Sequence, residues 1–462
     1  MTIWTPDISS RGGPRYRAIA EALADDVGAG RLLAGDRLPT HRELAERLGV
    51  TVGTVSRAYA EAERRGLLRG EVGRGTFVTG PGGGRDVPGR TGEPGGDGPI
   101  ELESNLPLCG QDPDLAGALR ELAGRPGCND LLSYPPAPGS RRHRQAGATW
   151  IARHGLEVAL EQVVVTAGAQ HAITVVLGGL CQPGDTVLAE SLTYPGLKTV
   201  ARLLGLRLVP VVMDEQGMRA DALDAVCRRE RARVLYCLPT LQNPTTGVMD
   251  AERRQALAEV ARRHDLALVE DDVHGLLEAG APPPLATFAP ERTHYIASTS
   301  KLVAGGLRVA YVAVPPGTAD RIASAVAASL WIPPPLTAEL AAIWIEDGTA
   351  DRVSALKCEE AAARQRLAAA ILPPDHVHTR ERSYFLWLEL RNGWRADAFA
   401  ATARARGVAV AAPGAFWLGE GEPPAAVRVS LSAPRHRWQV EAGLTVLADV
   451  LARGPATEPA IV

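Results

Sequence analysis

Lys301 is the residue whose type and position point most directly to covalent chemistry. The chain has 50 basic residues, and only three of them are lysines, at positions 198, 301 and 357. Lys301 lies at a turn of small residues between a short β-like run, 294–297, and a second apolar run, 307–314. A guanidinium keeps its proton near neutral pH, whereas an ammonium can lose it and condense with an aldehyde as a neutral amine. The position therefore favours imine chemistry, although for this residue alone an ordinary solvated lysine is an equal alternative.

Further polar groups also follow strand-like runs. Residues 166–170 (TAGAQ) join a strand to a helix whose first N–H groups would favour a phosphate. Tyr194 follows the next strand as a flat ring for stacking, and residues 242–247 (QNPTTG) offer an amide. The acids 270–272 end a buried run, where a carboxylate usually meets a cation. Lys301 comes later in the chain, and Arg308 follows it by seven residues. Each signal is ambiguous alone, but in this order they are the groups that pyridoxal phosphate (PLP) requires.

Alternating strands and helices would position these groups. We expect strands at 163–166, 186–190, 207–213, 234–238, 266–270, 295–298 and 307–314, with helices such as 251–263 between several of them. This alternation predicts an α/β fold with a mostly parallel sheet that helices cover on both faces. Ligands of such sheets bind at the carboxyl ends of the strands, where the polar groups fall.

A Gly- and Pro-rich stretch, residues 79–99, divides the chain. It has almost no large apolar side chains, so it predicts a flexible linker. We expect a helix-rich head at residues 11–78 and a body at residues 100–455. A chain of 462 residues has the length for two or more domains.

The head carries the pattern of a helix-turn-helix. Thr40 and Glu43 form a capping box before an apolar stripe, and Gly49 fits a helix C-cap. Thr51 starts a second helix after a short turn, which is the spacing of a helix-turn-helix. Residues 67–78 predict two short strands, a β-wing. The second helix is expected to bury Val52, Val55, Tyr59 and Ala62.

The exposed residues of the head suit contact with DNA. Thr51 and Thr54 open the second helix, where free N–H groups favour phosphate. Arg57 lies one turn further on and could reach a base edge in the major groove. Arg42 and Arg74 could hold flanking phosphates or enter the minor groove. A three-helix packing module with solvated arginines is the structural alternative.

The composition argues against several other classes of protein. A net charge of −3 disfavours a generally basic protein that coats nucleic acid. The six cysteines form no C-x-x-C pair, so we expect reduced thiols and neither a zinc site nor any other metal site. There is no apolar run of about 18 residues and no signal-like N-terminus, so we expect a cytoplasmic protein without a membrane span.

Residues 38–78 resemble the winged helix of the GntR family of transcription regulators. The match includes Leu38-Pro39, the segment 57–59 (RAY) and the segment 73–76 (GRGT). His41 stands where the family usually has a different polar residue, which bears on operator preference. The resemblance implies that double-stranded DNA is contacted by Arg42, Thr51, Thr54, Arg57 and Arg74.

The body resembles the fold-type I aminotransferases over about 350 residues, which implies a PLP site and a smaller C-terminal α+β part. By this resemblance Lys301 forms the Schiff base with PLP, and Asp271 pairs with the pyridine nitrogen. Asn243 contacts the ring oxygen and Tyr194 stacks on the ring. The residues that would hold the phosphate are Ala169, Gln170, Ser298 and Arg308.

Two further residues match the family, and two positions depart from it. Arg428 matches the arginine that grips a substrate α-carboxylate, and Tyr134 matches a tyrosine that reaches the partner subunit's phosphate across a dimer interface. Near the buried acid, where a tyrosine is frequent, this chain has Val-His at 273–274. His274 could donate to the ring oxygen instead, or it could be a satisfied loop histidine. Residues 382–383 replace a Gly-Gly pair and could change the substrate pocket.

A GntR-type head on an aminotransferase-like body is the layout of the MocR-type regulators. The resemblance implies a homodimeric regulator that binds a DNA operator and senses PLP, a small amine or an amino acid through an aldimine at Lys301. The alternative is a catalytically active aminotransferase that carries a DNA-binding head, because its main groups are all present. A PLP-storage or purely structural fusion is a third interpretation.

Overall fold

The computed structural model describes residues 4–6, 14–28, 32, 36, 38–64, 67–71, 75–78 and 98–455. Contacts within the chain divide it into two units, Met1–Arg90, which contains the predicted head, and Thr91–Val462, which contains the predicted body. The predicted linker, 79–99, lies outside the described residues apart from its last two positions.

The described residues of the head form three helices and a two-stranded antiparallel hairpin. The helix α2 begins with a capping box, in which Glu43 N–H donates to Thr40 Oγ1 at 3.3 Å and Thr40 N–H donates to Glu43 Oε2 at 2.8 Å. It ends at Gly49, whose φ of 61° is left-handed. The predicted helix-turn-helix and wing strands are therefore confirmed. The elements are α1 (Arg15–Gly28), α2 (His41–Leu48), α3 (Val52–Arg64), β1 (Leu68–Glu71) and β2 (Gly75–Val78).

One residue of the predicted buried stripe on α3 is exposed. Val55, Tyr59 and Ala62 are buried where α3 packs on α1 and α2. Val52 is 45% exposed, so the prediction for this residue is wrong. Apolar spacing places Val52 on the correct helical face, but packing covers this face only from the second turn onward.

A seven-stranded sheet forms the centre of the body. Its strand order is β4-β12-β11-β10-β9-β5-β6, and β12 is antiparallel to both of its neighbours while every other pair is parallel. The predicted mostly parallel sheet is therefore confirmed. The strands are β4 (Val163–Thr166), β5 (Thr186–Glu190), β6 (Arg207–Val211), β9 (Ala232–Cys237), β10 (Ala267–Asp271), β11 (Thr293–Ser298) and β12 (Ala310–Ala313).

The last strand of this sheet is shorter than its apolar run predicts. The run 307–314 forms a strand only over Ala310–Ala313. Gly305–Leu307 make one 3-10 turn, and Arg308 has a left-handed φ of 52°. The chain is thus turned at Arg308 before it can pair with β11.

Helices cover both faces of the sheet, and an α+β part follows it. Alternate side chains go to opposite faces: Val163 and Val165 pack with α5, and Val164 packs with α6. Helices around the sheet are α4 (Leu115–Gly124), α5 (Arg141–Ala152), α6 (Ala169–Leu180), α7 (Pro195–Leu203), α8 (Ala220–Cys227), α9 (Ala251–Arg263), α10 (Leu285–Phe288), α11 (Ala319–Leu330) and α12 (Pro335–Glu346). A small hairpin is formed by β7 (Met213–Asp214) and β8 (Gly217–Met218).

The C-terminal part has an antiparallel sheet of three strands and a parallel pair that returns to the start of the body. The strand β15 pairs with β3, so residues near position 100 join this part. Its elements are β3 (Ile100–Leu102), α13 (Thr349–Ile371), β13 (Val377–His378), β14 (Phe385–Glu389), α14 (Ala396–Ala405), β15 (Val408–Val410), β16 (Ala426–Ser430) and α15 (Arg437–Arg453). Over the ranges that the structure describes, no helix combines the length and the apolar character needed to cross a bilayer.

Candidate cofactor site and DNA-contact surface

The carboxyl ends of neighbouring strands bring the predicted site residues together. Asp271 is the last residue of β10, Ser298 is the last residue of β11, and these two strands are parallel. Lys301 follows β11 by three residues. Parallel neighbours end at the same edge of a sheet, so the acid and the amine face one site.

Lys301 has an amine that is easily deprotonated. Burial of the ammonium, together with the nearby charges of Arg428 and Arg308, lowers its pKa from 10.5 to about 7, while Asp271 acts in the opposite direction. Its Nζ donates a hydrogen bond to the carbonyl oxygen of Asn105. Near neutral pH a large fraction of Lys301 is therefore the neutral amine that condensation with an aldehyde requires.

Asp271 offers one free carboxylate oxygen to the site. Its Oδ2 accepts a hydrogen bond from the Tyr236 hydroxyl at 2.7 Å. Its Oδ1 is buried and has no hydrogen-bond partner among the described residues. Burial raises the pKa of this carboxyl to about 6, and the hydrogen bond from Tyr236 opposes that shift. An unpartnered buried oxygen fits the protonated pyridine nitrogen of PLP, which would donate to it.

The acids on either side of Asp271 are bound elsewhere. Glu270 accepts the backbone N–H groups of Leu285 and Ala286, each at 2.8 Å. Asp272 accepts the Tyr295 hydroxyl at 2.5 Å and lies 3.0 Å from His154 Nδ1. The alternation of side chains along a strand thus leaves only Asp271 of the three to face Lys301.

Arg308 and the N-terminus of α6 form a cradle for an anion. A Cβ at Gly168, the residue before α6, would lie 2.5 Å from Arg308 Nη2, so only glycine allows the guanidinium to lie there. Arg308 Nη1 lies 3.4 Å from Ser300 Oγ, which is 3.0 Å from Ser298 Oγ. Ala169 and Gln170 occupy the first turn of α6, where N–H groups have no partner within the helix. These groups fit the PLP phosphate.

Tyr194 lies at the start of α7 among the charged groups of the site. Burial, and secondarily the charge of Asp271, raise the pKa of its hydroxyl, while Arg308 and Arg428 oppose that shift. A Cβ at Gly196 would lie 2.2 Å from Tyr194 Cε1 and 2.3 Å from Gln170 Oε1. Glycine at 196 therefore allows the ring to fold back over α7, toward the side chain of Gln170.

Arg428 and Asn243 meet directly. Arg428 Nη1 donates to Asn243 Oδ1 at 2.7 Å, and Nη2 donates to the Glu103 carbonyl at 2.6 Å. Nε is buried without a partner in the described part of the chain. The guanidinium also lies 4.8 Å from the centre of the Phe416 ring. Burial lowers the pKa of Arg428 to about 10, so it stays charged at neutral pH and can bind a carboxylate.

His274 is buried and neutral. Burial lowers its pKa well below the usual value. Its Nε2 lies 3.1 Å from the side-chain amide of Asn105, in a hydrogen bond whose direction depends on the tautomer of the ring. Nδ1 has no partner among the residues that the structure describes. His274 is therefore not fully satisfied as a loop histidine, and its contact with the ring oxygen of PLP remains a prediction.

Tyr134 lies on the surface of its own subunit. Its side chain is 79% exposed, and its ring makes an edge-to-face contact with Trp331 at 6.4 Å. No contact of Tyr134 with Lys301, Asp271 or Arg428 is found within the described ranges. Its predicted role at a phosphate therefore depends on a second subunit.

The sequence analysis did not identify three residues that contribute to the site. Tyr236 lies within an apolar strand and shows no polar pattern of its own. Glu103 and Asn105 contribute backbone carbonyls, which any residue type could supply. Tyr236 pairs with Val269, two residues before Asp271, so the register of β9 and β10 would have revealed it.

The exposed end of α3 carries residues that are predicted to contact DNA. Thr51 Oγ1 accepts the N–H of Thr54 at 3.2 Å and lies 2.9 Å from its hydroxyl. Arg57 and Arg42 are exposed on α3 and α2. Arg74 lies outside the described residues, so its predicted DNA contact has no structural description.

His41 connects the two helices of the helix-turn-helix. Its Nδ1 lies 3.1 Å from Ser56 Oγ, and its ring meets Tyr59 edge-to-face at 4.9 Å. The Tyr59 hydroxyl donates to the carbonyl of Pro39 at 2.9 Å. A substitution at His41 would thus change how α3 packs on α2.

Two protein-family models match the chain in separate places. The model described as aminotransferase class I and II matches residues 98–447, and the model of bacterial regulatory proteins of the gntR family matches residues 15–78. The chain is 34% identical to the uncharacterized HTH-type transcriptional regulator YdeF of Bacillus subtilis, over 97% of this chain and 96% of that protein.

Similarity extends to a named regulator and to a solved enzyme. The chain is 30% identical to the HTH-type pyridoxine biosynthesis transcriptional regulator PdxR of Corynebacterium glutamicum, over 64% of this chain and 65% of that protein. The crystal structure of LysN, the α-aminoadipate aminotransferase of Thermus thermophilus, in complex with N-(5'-phosphopyridoxyl)-L-leucine, matches with a TM-score of 0.68 and 28% identity, covering 77% of this chain and 93% of that one.

Proposed function

The chain belongs to the class I and II aminotransferase family and carries a gntR-family head, and from this premise we propose that it is a PLP-dependent transcription regulator of the MocR type. Its cofactor is PLP. The observation that carries the proposal is the site in which a lysine of pKa about 7 and an unpartnered buried oxygen of Asp271 face each other. The head, residues 11–78, would bind operator DNA, and residues 79–99 would link it to the body.

PLP, when bound, supplies an aldehyde that accepts an amine and a pyridine ring that withdraws electrons. Lys301 would present the neutral amine, and Asp271 Oδ1 would accept the proton of the ring nitrogen. Arg308, Ser298 and the first turn of α6 would hold the phosphate. Tyr194 would cover the ring, and the amide of Asn243 and the ring of His274 would donate toward the ring oxygen.

The effector would be an amine or an amino acid that competes with Lys301 for the aldehyde. Arg428 stays charged and has an unpartnered Nε within the described part of the chain, so a carboxylate can bind there. An amino acid at Arg428 would displace the carbonyl of Glu103 from Nη2. The two states of Lys301, joined to the cofactor or released from it, are the states between which an effector selects.

The head would read DNA as one half of a symmetric pair. The exposed Arg57 and the N-terminus of α3 suit the major groove, and Arg42 suits the backbone. A winged helix reads one half-site, so a palindromic operator calls for two heads. A regulator of this bacterial family would bind its operator in the cytoplasm.

A homodimer would also cover the exposed apolar side chains near Tyr134. Leu132 is 86% exposed, Tyr134 is 79% exposed and Trp331 is 64% exposed. Trp331 also has a left-handed φ of 68°, which is rare for a bulky residue. A second copy of the body would bury this surface and place Tyr134 at the partner's phosphate cradle.

Turnover as an aminotransferase is the second candidate function. The observation in its favour is Lys301 itself, because an amine with a pKa near 7 can carry a proton as well as bind the cofactor. A complete amino acid:2-oxo acid cycle with kcat within the usual range of about 1–10³ s⁻¹ would favour this candidate. A half-reaction only would favour the regulator.

A single set of measurements on the full chain tests the regulator. The protein is mixed with PLP, reduced with borohydride and digested, and the peptide that carries the pyridoxyl label is identified. We expect the label on Lys301, and we expect a panel of amino acids to change both the absorbance of the bound PLP and the affinity for operator DNA. A label elsewhere, or DNA affinity that no amine or PLP changes, would contradict the proposal.

A further inference from the structure

Two buried side chains donate hydrogen bonds to backbone carbonyls of the loop that contains Lys301. Tyr384 donates its hydroxyl to the carbonyl oxygen of Lys301 itself at 3.0 Å. Lys357, in the middle of α13, donates its Nζ to the carbonyl oxygen of Val303 at 2.8 Å. Both residues come from the C-terminal side of the body, and neither is among the groups assigned above to the cofactor.

The loop does not fix these carbonyls by itself. Its internal hydrogen bonds include those from the Val303 N–H to the Thr299 carbonyl at 2.8 Å and from Thr299 Oγ1 to the Val309 carbonyl at 3.0 Å, and none of those recorded within the loop ends on the carbonyl of Lys301 or Val303. They fix where the loop begins and how it turns. The peptide units that follow Lys301 and Val303 are fixed instead by Tyr384 and Lys357.

Lys357 occupies an unfavourable place for a charge. The residue is fully buried, and a buried ammonium is tolerated only when it is paired and hydrogen-bonded. Its Nζ has the Val303 carbonyl on one side and Asp112 Oδ1 at 2.9 Å on the other. An ammonium is compact enough to fit between one carboxylate and one carbonyl, whereas a planar guanidinium is larger. This accounts for a lysine at this position in a chain whose basic residues are almost all arginines.

We propose that Tyr384 and Lys357 are positioning residues for Lys301, which fix the backbone from which its amine reaches the cofactor aldehyde. The proposal rests on the proposed cofactor chemistry at Lys301. Reacting groups must be held within about 0.5 Å of their productive positions. A displacement of the Lys301 backbone also displaces its amine. Loss of either hydrogen bond would let the loop move, so that fewer approaches of the amine lead to reaction.

The two residues act through the backbone and not through their charge. The groups that shift the pKa of Lys301 are Arg428, Arg308 and Asp271, in addition to its burial. Neither Tyr384 nor Lys357 belongs to this set. Their removal should therefore slow capture of PLP at every pH without moving the pH at which capture is half-maximal.

The test compares capture of PLP by full-length variants. The variants are Tyr384→Phe, Lys357→Met and, as the matched control, Tyr311→Phe. Tyr311 is fully buried and lies on β12, and its hydroxyl has no partner among the described residues, so its removal deletes a buried oxygen without touching the loop. Cofactor-free protein is mixed with PLP, and the rate of appearance of borohydride-reducible label on Lys301 is followed over a range of pH.

Tyr384→Phe and Lys357→Met should each lower the capture rate about fivefold at every pH, which is the loss that one ordinary hydrogen bond produces. The half-maximal pH should stay at the wild-type value, and Tyr311→Phe should match the wild type. Circular dichroism identifies any variant that does not fold, and Tyr384→Phe, which keeps the ring, then decides alone. Wild-type rates in the folded variants, or an equal loss in Tyr311→Phe, would overturn the positioning role. Absence of label on wild-type Lys301 would instead refute the proposed function.

Discussion

The head and the body of this chain hold their functional charges in opposite surroundings. In the head, Arg42 and Arg57 are exposed on helices whose apolar faces are buried beneath them. In the body, Asp271 and Arg428 are buried, and burial together with the charges of Arg428 and Arg308 lowers the pKa of Lys301 to about 7. The head presents solvated side chains to DNA, whereas the body presents to the cofactor buried groups whose pKa values depend on their neighbours.

This difference predicts how substitutions behave in each region. Exposed charges act on a ligand nearly independently and are screened by salt, so their effects should add. Buried charges share one environment, so a change in one alters the pKa of another and their effects should not add. The following substitutions test this contrast, from the largest expected effect to the smallest.

Replacement of Lys301 should remove the chemistry of the body and leave the head intact. We expect Lys301→Ala to take up no borohydride-stable pyridoxyl label, because neither of the other two lysines meets Asp271. Lys198 donates to the carbonyls of Gly414, Ala415 and Trp417, so Lys198→Ala is the control that keeps the label. DNA binding in the absence of PLP should be the same in both variants. Label in Lys301→Ala would contradict the assignment.

Replacement of Arg57 should weaken DNA binding and leave the body unchanged. If Arg57 contacts a base edge, Arg57→Ala should lose about 1–3 kcal/mol of binding free energy, roughly 5- to 150-fold in affinity. The assay is fluorescence anisotropy with an operator duplex selected from a random pool. Arg17→Ala, which removes an exposed arginine of α1, serves as the control.

The loss in Arg57→Ala should depend on one base pair of the operator. A loss that is uniform over all sequences, with a weaker dependence on salt, would mean a phosphate contact instead. The absorbance of bound PLP should be unaffected in either case. A changed PLP spectrum would show that the two regions are not independent.

The same contrast decides what could be predicted from the sequence. The head was predictable almost residue by residue, because Thr40, Glu43 and Gly49 act through their own side chains or backbone angles within a few positions. In the body, the residue types of Lys301, Asp271 and Arg428 were informative because each has few alternatives. Tyr236 and the carbonyls of Glu103 and Asn105 were not predictable, because the pairing of distant segments brings them to the site.

Removal of Arg428 should change the pH dependence of Lys301. A cation lowers the pKa of a neighbouring ammonium, so Arg428→Gln should raise the pKa of Lys301 above about 7. The rate of PLP capture rises as the amine loses its proton, so the half-maximal pH should move upward in the variant. Capture at neutral pH should then be slower, and capture in more alkaline solution should approach the wild-type rate.

A matched arginine outside the site makes this test specific. Arg262 is exposed on α9 and pairs with Glu291 at 2.9 Å, so Arg262→Gln removes an equal charge at a place that does not influence Lys301. The half-maximal pH should not move in this control. An unchanged half-maximal pH in Arg428→Gln as well would mean that burial and Arg308 lower the pKa of Lys301 without a contribution from Arg428.

The smallest expected effect tests whether the head and the body are separate units of stability. Thr40 caps α2 in the head, and Asp250 caps α9 in the body by accepting the Arg253 N–H at 2.7 Å. Loss of such a cap costs about 1 kcal/mol of unfolding free energy. In calorimetry we expect Thr40→Ala to lower only the transition of the head and Asp250→Ala to lower only that of the body, by fewer degrees because the body is larger. If either variant shifted both transitions, the head and the body would unfold as one cooperative unit. The contrast between the two regions would then not extend to their stability.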